Sequence, residues 1–262
     1  MDDLIREIGF WISAQHFAAA ETVCGPLATL LPTNMQRYCP RFVDGVFTTV
    51  ELVTLAMGLA FVLARALVMH YWFSGRFVRR AIDAYRWVFQ GTPLLIQLWL
   101  LYFGLAQFAL LRESSLWVFL ASGWWVGLCA LTLNSAAYQT AILLGALNNL
   151  PEGQREGGVS LGLSERTVFR RILFPQAIRT AWPSLANEGI LVLKASALVS
   201  TITVLDLMGH ARTVFSRSYD LAVYGYAALL YIGLTAVVTV VALVIRRYAF
   251  RALPGDSWFA RR

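Results

Sequence analysis

Two stretches of this sequence carry chemically capable side chains where apolar ones are expected. "LTLNSAAYQTAILLGAL" (131–147) holds Asn134, Ser135, Tyr138 and Gln139, and "EGILVLKASALVSTITVLDLM" (188–208) holds Glu188, Lys194, Ser196, Ser200 and Thr201. Polar groups inside long apolar segments are costly to bury, and they either line a pathway or hold helices together. Glu188 and Lys194 are six positions apart. On a helix that is a rise of about 9 Å and a rotation of about 240°, so the two lie on different faces and do not form an intrahelical pair. Asn134, Tyr138, Glu188, Lys194 and Ser196 are the candidates for a substrate path. The plainer role for Lys194 is a structural contact with another helix or with backbone carbonyls. Asp206 and His210, four apart, share a helical face and read first as a structural pair.

A third stretch, "EGGVSLGLSERTVFRRILFPQAIRTAWP" (156–183), is polar and basic between greasy neighbours. It reads as helix, break, helix. Pro151 and Glu152 suit a first turn, Gly162 suits a turn that needs positive φ, and Ser164 caps a second helix with Glu165 in its first turn. Val168, Phe169, Ile172 and Pro175 then share an apolar face, with Arg166 and Arg170 on another. Pro175 is expected to break or restart the helix. A loop needing only solubility has no use for Phe169, Ile172, Leu173 and Phe174 in an amphipathic register, so the segment reads as a docking element for a protein partner. The alternative is a solvated connection whose arginines set topology. The chain itself has no nucleotide site. A P-loop ends in Gly-Lys-Ser/Thr, and the only lysine, Lys194, sits in "LVLKASAL". No catalytic or metal-ligating constellation is present in the sequence.

The elements that position these residues follow from composition. Of 262 residues, 58% are hydrophobic and 14% charged, with a mean hydropathy of +0.60. A soluble domain carries nearer a quarter charged residues. Five apolar segments stand out, at about 46–70, 93–111, 116–146, 188–208 and 222–245. In hydrocarbon they must be helical, because every backbone group needs an internal partner. The expectation is an all-α polytopic membrane protein with about five transmembrane helices. Arginine sets its orientation. Fourteen arginines fall after the first, third and fifth segments, among them Arg76, Arg79, Arg155, Arg166, Arg170, Arg246 and Arg247, against six on the opposite side. The positive-inside rule puts the N-terminus outside and the C-terminus inside. The net charge of +7 is therefore a topology signal. The arginines alternate with the spans and form no single patch, which excludes a nucleic-acid partner.

The N-terminus, "MDDLIREIGFWISAQHF", starts acidic and makes a poor signal peptide. An amphipathic helix on the outer membrane surface is preferred there over an extra span at about 8–30. Cys24 and Cys39 flank "CGPLATLLPTNMQRYC" and are candidates for a disulfide if that piece faces an oxidising compartment. Cys129 lies in an apolar run and reads as a small core residue. No internal repeat is evident, so an inverted-repeat secondary transporter gains no support.

Glu156-Gly157-Gly158, then Gly162, then Ile172-x-x-Pro175 resembles the EAA loop of permease subunits in bacterial ATP-binding cassette importers. The departure is Gly-Gly for Ala-Ala, which loosens the first short helix by roughly 1 kcal/mol per glycine. "FQGTPLLIQLWLLYFGL", "NSAAYQTAILLGALNNLPEGQREGG" and "FPQAIRTAWPSLANEGILVLKASAL" are similar to permeases for polar amino acids, and the resemblance covers roughly 45–247. "LDLMGHARTVFSRSY" and the spacing around Leu111–Trp117 look most like the second permease subunit of systems for histidine, lysine, arginine, ornithine or octopine. Similar subunits often carry Glu in the "AYTxEI" stretch; here "AYQTAILLG" has no acidic residue.

The resemblance implies a type I importer permease fold in the inner membrane. Residues 1–45 would form a periplasmic extension, 46–247 the permease domain with a coupling loop at about 150–183, and 248–262 a cytoplasmic tail. The implied partners are a paralogous permease subunit, two copies of a cytoplasmic ATPase and a periplasmic amino-acid-binding protein. ATP and Mg would sit on the ATPase, with no cofactor on this chain. Glu156, Gly157, Gly158, Leu161, Gly162, Leu163, Ser164, Arg170 and Pro175 would couple to that ATPase. The implied substrate is a basic amino acid or opine, with glutamine/glutamate-type or other polar amino acids as the alternative.

Overall fold

The structure, a computed structural model, describes residues 20, 22–25 and 36–249. The first long helix, α1 (Cys39–Phe73), has 35 residues. At 1.5 Å per residue it is about 50 Å long, more than the roughly 30 Å of bilayer hydrocarbon. Its buried stripe is Ala56, Ala60, Ala64 and Val68, one residue per turn. Three alanines in a row let the neighbouring backbone approach closely, as packing in lipid requires. The opposite face carries exposed Leu55, Leu59 and Val62.

Helix α2 (Arg76–Gly91) buries only Ile82. Arg79 donates from Nε to Tyr71 O at 2.9 Å and from Nη2 to Trp72 O at 3.3 Å, capping the end of α1. At Thr92-Pro93 the chain bends by 103°. Thr92 is extended at φ -114, ψ 142, as the residue before a proline is driven to be. Beyond the bend, α3 (Leu94–Trp99) widens into a π turn (Leu100–Gly104) and tightens into a 3-10 turn (Leu105–Gln107). The second expected span is thus half of a bent pair. Short turns α4 (Ala109–Arg112) and α5 (Trp117–Leu120) lead to α6 (Gly123–Asn148), so the third span begins at Gly123.

After α6 come α7 (Gly153–Ser160) and α8 (Glu165–Val168), a π turn (Phe169–Leu173), α9 (Phe174–Ala195) and a 3-10 stretch (Ser196–Ile202). Pro175, expected to break or restart the helix, restarts it without interrupting the run. Pro175 sits in the first turn of α9, directly after the π turn, and the helical run from Glu165 to Ile202 is continuous over 38 residues. A proline ring would clash with the carbonyl of the preceding turn, and the wider π turn makes room for it. The run ends at Thr203, which has φ 72. Helices α10 (Leu207–Ser218) and α11 (Ala222–Ala249) follow. Among the described residues four helical runs are long and apolar enough to cross a membrane, or five if the bent α2–α3 pair is one span.

Helix α6 is the central post. Leu128, Leu131 and Val126 pack with Leu52 and Val53 of α1 and with Val199 and Ile202 at one end of the bundle. Leu143 and Leu147 pack with Ala64 and Val68 at the other. A third cluster joins Phe42 of α1 to Leu207, Ala211 and Val214 of α10 and to Val223 and Ala227 of α11. Cys24 and Cys39 are joined by a disulfide. The surface helix expected near 8–30 falls almost wholly outside the described residues, as does most of the tail after 248.

Candidate coupling loop and membrane-embedded polar groups

The loop between α6 and α9 is a stiff hairpin. Helix α7 ends in a Schellman arrangement. Gly162 has φ +78, Gly162 N–H donates to Val159 O at 2.9 Å, and Leu163 N–H donates to Gly158 O at 3.3 Å. The carbonyls left over at the end of α7 are thereby satisfied, at a residue type that accepts left-handed backbone at no steric cost. Ser164 Oγ accepts from Thr167 N–H at 3.3 Å and caps α8. Arg155 donates to both carboxylate oxygens of Glu165, at 2.6 and 3.3 Å, and ties α7 to α8. Gln176 Nε2 donates to Gln154 Oε1 at 3.3 Å, from α9 back to α7.

The apolar face of the second helix has a different use from the one its pattern suggested. Val168, Phe169, Leu173 and Phe174 are buried against Ala64, Val68, Leu143 and Leu147. Trp72 packs tilted and Phe73 edge-on against Phe169, with centroids 5.4 and 5.3 Å away. This face bolts the hairpin to its own bundle and is not open to a partner. What the hairpin offers outward is α7 and its tip. Leu161 is 81% exposed, with Val159 and Leu163 also exposed, and Glu156, Gly157, Gly162, Ser164 and Arg170 lie open beside them. Gly158, by contrast, is buried, and Pro175 is half-buried within α9.

The five path candidates divide into two groups. Asn134 donates from Nδ2 to Phe89 O at 3.1 Å and to Gln97 Oε1 at 3.0 Å. Gln97 donates from Nε2 to Phe89 O, Thr92 O and Thr92 Oγ1, at 2.9, 3.0 and 2.8 Å. Gln90 and Tyr85 reach back to the carbonyls of Ala137 and Leu133 on α6. The bonds to Phe89 O and Thr92 O satisfy backbone groups freed where the α2–α3 pair bends, which a broken helix at membrane depth requires. Glu188 accepts from Ser135 Oγ at 2.9 Å, and Ser135 accepts in turn from Gln139 Nε2 at 3.1 Å. Ser196 Oγ donates to Leu193 O of its own helix at 2.8 Å. Asn134, Glu188 and Ser196 are therefore engaged inside this chain. Tyr138 and Lys194 are exposed on its surface, and Lys194 is not paired with Glu188.

The side chains of Asp206 and His210 do not pair with each other, although His210 N–H donates to Asp206 O at 2.9 Å in the first turn of α10. Asp206 caps α10, accepting from Gly209 N–H at 2.8 Å and from Tyr231 Oη at 3.4 Å. His210 Nε2 meets Asp44 Oδ2 at 3.0 Å, joining α10 to α1. Burial pushes the Asp206 carboxyl up to about 6, against the pull of its hydrogen bonds. Gln97 and Arg65 escaped the sequence reading. Each is a lone polar residue in an apolar run, and that was the available signal. No group of three or more His, Cys, Asp or Glu that could hold a metal occurs among the described residues.

Long apolar helices, a bent pair braced by side-chain amides and a stiff hairpin at one end define a polytopic membrane transport subunit. Residues 56–253 match the model of the binding-protein-dependent transport system inner membrane component; the chain belongs to this family and is a permease subunit of an amino-acid ABC importer, a transporter component and not an enzyme. It is 40% identical over 224 residues to the arginine ABC transporter permease protein ArtM of Haemophilus influenzae, covering 85% of this chain and 97% of that protein. It is 40% identical over 187 residues to the octopine transport system permease protein OccM of Rhizobium radiobacter, covering 71% and 75%. The fold matches the crystal structure of an amino acid ABC transporter with histidines, with a TM-score of 0.72 and 30% identity over 82% of this chain and 97% of that one. An inward-facing methionine ABC transporter, MetNI, has the same fold at TM-score 0.69 and 18% identity, covering 83% and 98%.

Proposed function

We propose that this permease forms one half of the translocation pathway of an ATP-driven importer for a basic amino acid or opine. The other half is a paralogous permease subunit. Two copies of a cytoplasmic ATPase dock on the hairpins, and a periplasmic binding protein delivers the substrate. ATP and Mg sit on the ATPase. The N-terminus is periplasmic and the C-terminus cytoplasmic, as the arginine distribution favours. The disulfide between Cys24 and Cys39 agrees, since such bonds persist in oxidising compartments.

The observation that carries the coupling role is Leu161, 81% exposed at the tip of a hairpin that is capped, salt-bridged and anchored by its own apolar face. A handle of this kind transmits a partner's motion as a rigid body. The relatives named for arginine and octopine support the substrate class. Tyr138 and Lys194 face out of this chain, toward where a second permease subunit completes a path. Asn134, Glu188 and Ser196 support that path from behind.

The test is reconstitution of the permease with its cognate ATPase, second permease and binding protein. Arginine-stimulated ATPase activity and arginine uptake are expected. Uptake of glutamine or glutamate with none of arginine would overturn the substrate class. Hydrolysis of ATP by the purified permease alone would overturn the division of labour.

A further inference from the structure

Arg65 lies two turns inside the end of α1, within an apolar run. An arginine at that depth is costly unless its head finds an anion, a ring or the interface. Its guanidinium carbon stands 5.8 Å from the centre of the Phe174 ring, and Arg65 lines a cavity of about 390 Å³ together with Arg166, Arg170 and Arg171. Met69 and Phe174 form part of its apolar wall, and no carboxylate lines it. Among the described residues none of the four arginines takes part in an ion pair. Four cations around one cavity repel each other, and an anion seated between them removes that cost.

The surface below the cavity is apolar. Val62 and Met69 share the face of α1 that carries Arg65, three to four residues to either side, and Leu59 and Leu55 continue the exposed apolar surface one and two turns away. A guanidinium-lined cavity with such an apolar surface beside it on α1 matches a molecule with an anionic head and a long apolar tail. We propose that this cavity binds the phosphate of an anionic phospholipid of the cytoplasmic leaflet, with an acyl chain lying along Val62, Leu59 and Leu55. The inference rests on the proposed orientation, which puts this end of the bundle at the cytoplasmic face. Guanidinium forks hold phosphate oxygens in pairs, and basic pockets between membrane helices are suited to such head groups. The same lipid would touch α1 and the root of the hairpin together, so it would brace the coupling loop against the membrane.

The test uses the full-length permease in detergent and in nanodiscs, with native mass spectrometry as the readout. Lipid retention is then measured whether or not the transport reading holds. The wild type is expected to retain phosphatidylglycerol against an excess of phosphatidylcholine. Arg65→Gln and Arg166→Gln should each lower that retention about fivefold, the worth of one arginine at a membrane surface, while Arg65→Lys keeps most of it. Millimolar glycerol phosphate should leave the lipid bound. Equal retention of the two lipids would overturn the proposal, as would unchanged retention in Arg65→Gln. Displacement by glycerol phosphate would assign the cavity to a free phosphate compound instead. Loss of ATPase co-purification in these variants with lipid retention unchanged would make the cluster a protein contact and equally sink the lipid site.

Discussion

Gly158 on α7 lies so close to α8 that a methyl group added to it would stand 2.8 Å from Val168 Cγ2 and 3.2 Å from Ile172 Cδ1. Its neighbour Gly157 has nothing within 4 Å of the same added atom. The pair that departs from Ala-Ala therefore contains one glycine demanded by packing and one that packing leaves unexplained. Gly158→Ala forces a stiff valine to move, a cost of about 1–3 kcal/mol, against a gain in helix propensity of about 1 kcal/mol. Gly157→Ala collects the gain alone. Hydrogen exchange across 153–173 should show weaker protection in Gly158→Ala and stronger protection in Gly157→Ala. The reverse order would contradict the packing argument.

Leu161 projects into solvent and supports nothing within its own chain. Leu161→Asp should leave membrane insertion and thermal stability unchanged, within about 0.5 kcal/mol, as surface changes usually do. Co-purification of the ATPase, or its stimulation by loaded binding protein, should fall strongly. Intact coupling in this variant would remove the tip from the docking surface.

Gln97 serves the bend between α2 and α3 with bonds to Phe89 O and Thr92 O. Gln97→Leu removes the donor to Thr92 O and the Oε1 acceptor of Asn134, while Phe89 O keeps Asn134, a loss of about 1 kcal/mol. Unfolding in detergent should show it as a lowered midpoint. Asn134→Leu should act in the same direction, and the double variant should lose less than the sum, because Asn134 Nδ2 donates to Gln97 Oε1 and either single variant already breaks that bond.

Asp206 carries a pH signature. Its carboxyl is moved from an ordinary 3.8 up to about 6, chiefly by burial, so the folded state holds the proton more tightly than the unfolded chain does. The stability this adds is fully present below about pH 4 and is lost as pH rises through about 6. Asp206→Asn keeps an N-cap acceptor for Gly209 and removes the titration. The difference between wild-type and variant melting temperatures should slope between pH 4 and 6 and be flat above 7. A flat difference throughout would contradict the assignment.

Much of this architecture was legible one residue at a time. Hydropathy located the long helices because lipid allows no other backbone solution. Gly162 and Ser164 announced the turn and cap of the hairpin because few residue types accept those backbone positions. These are properties of single residues or short windows. What the sequence by itself could not determine were relations between segments. The amphipathic register at 168–174 promised an apolar face but not its owner; only the fold shows Phe169 closed in by Trp72 and Phe73 of α1. Pro175 read as a break or a restart, and only the π turn ahead of it shows that the run restarts there without interruption. Asn134 and Glu188 stood out as polar groups in apolar segments, but that Gln97 and Ser135 would meet them from other helices was not visible. A one-dimensional pattern states that a group needs a partner. Which partner meets it depends on the angles and bends that bring distant helices to one place, and those exist only in the assembled chain.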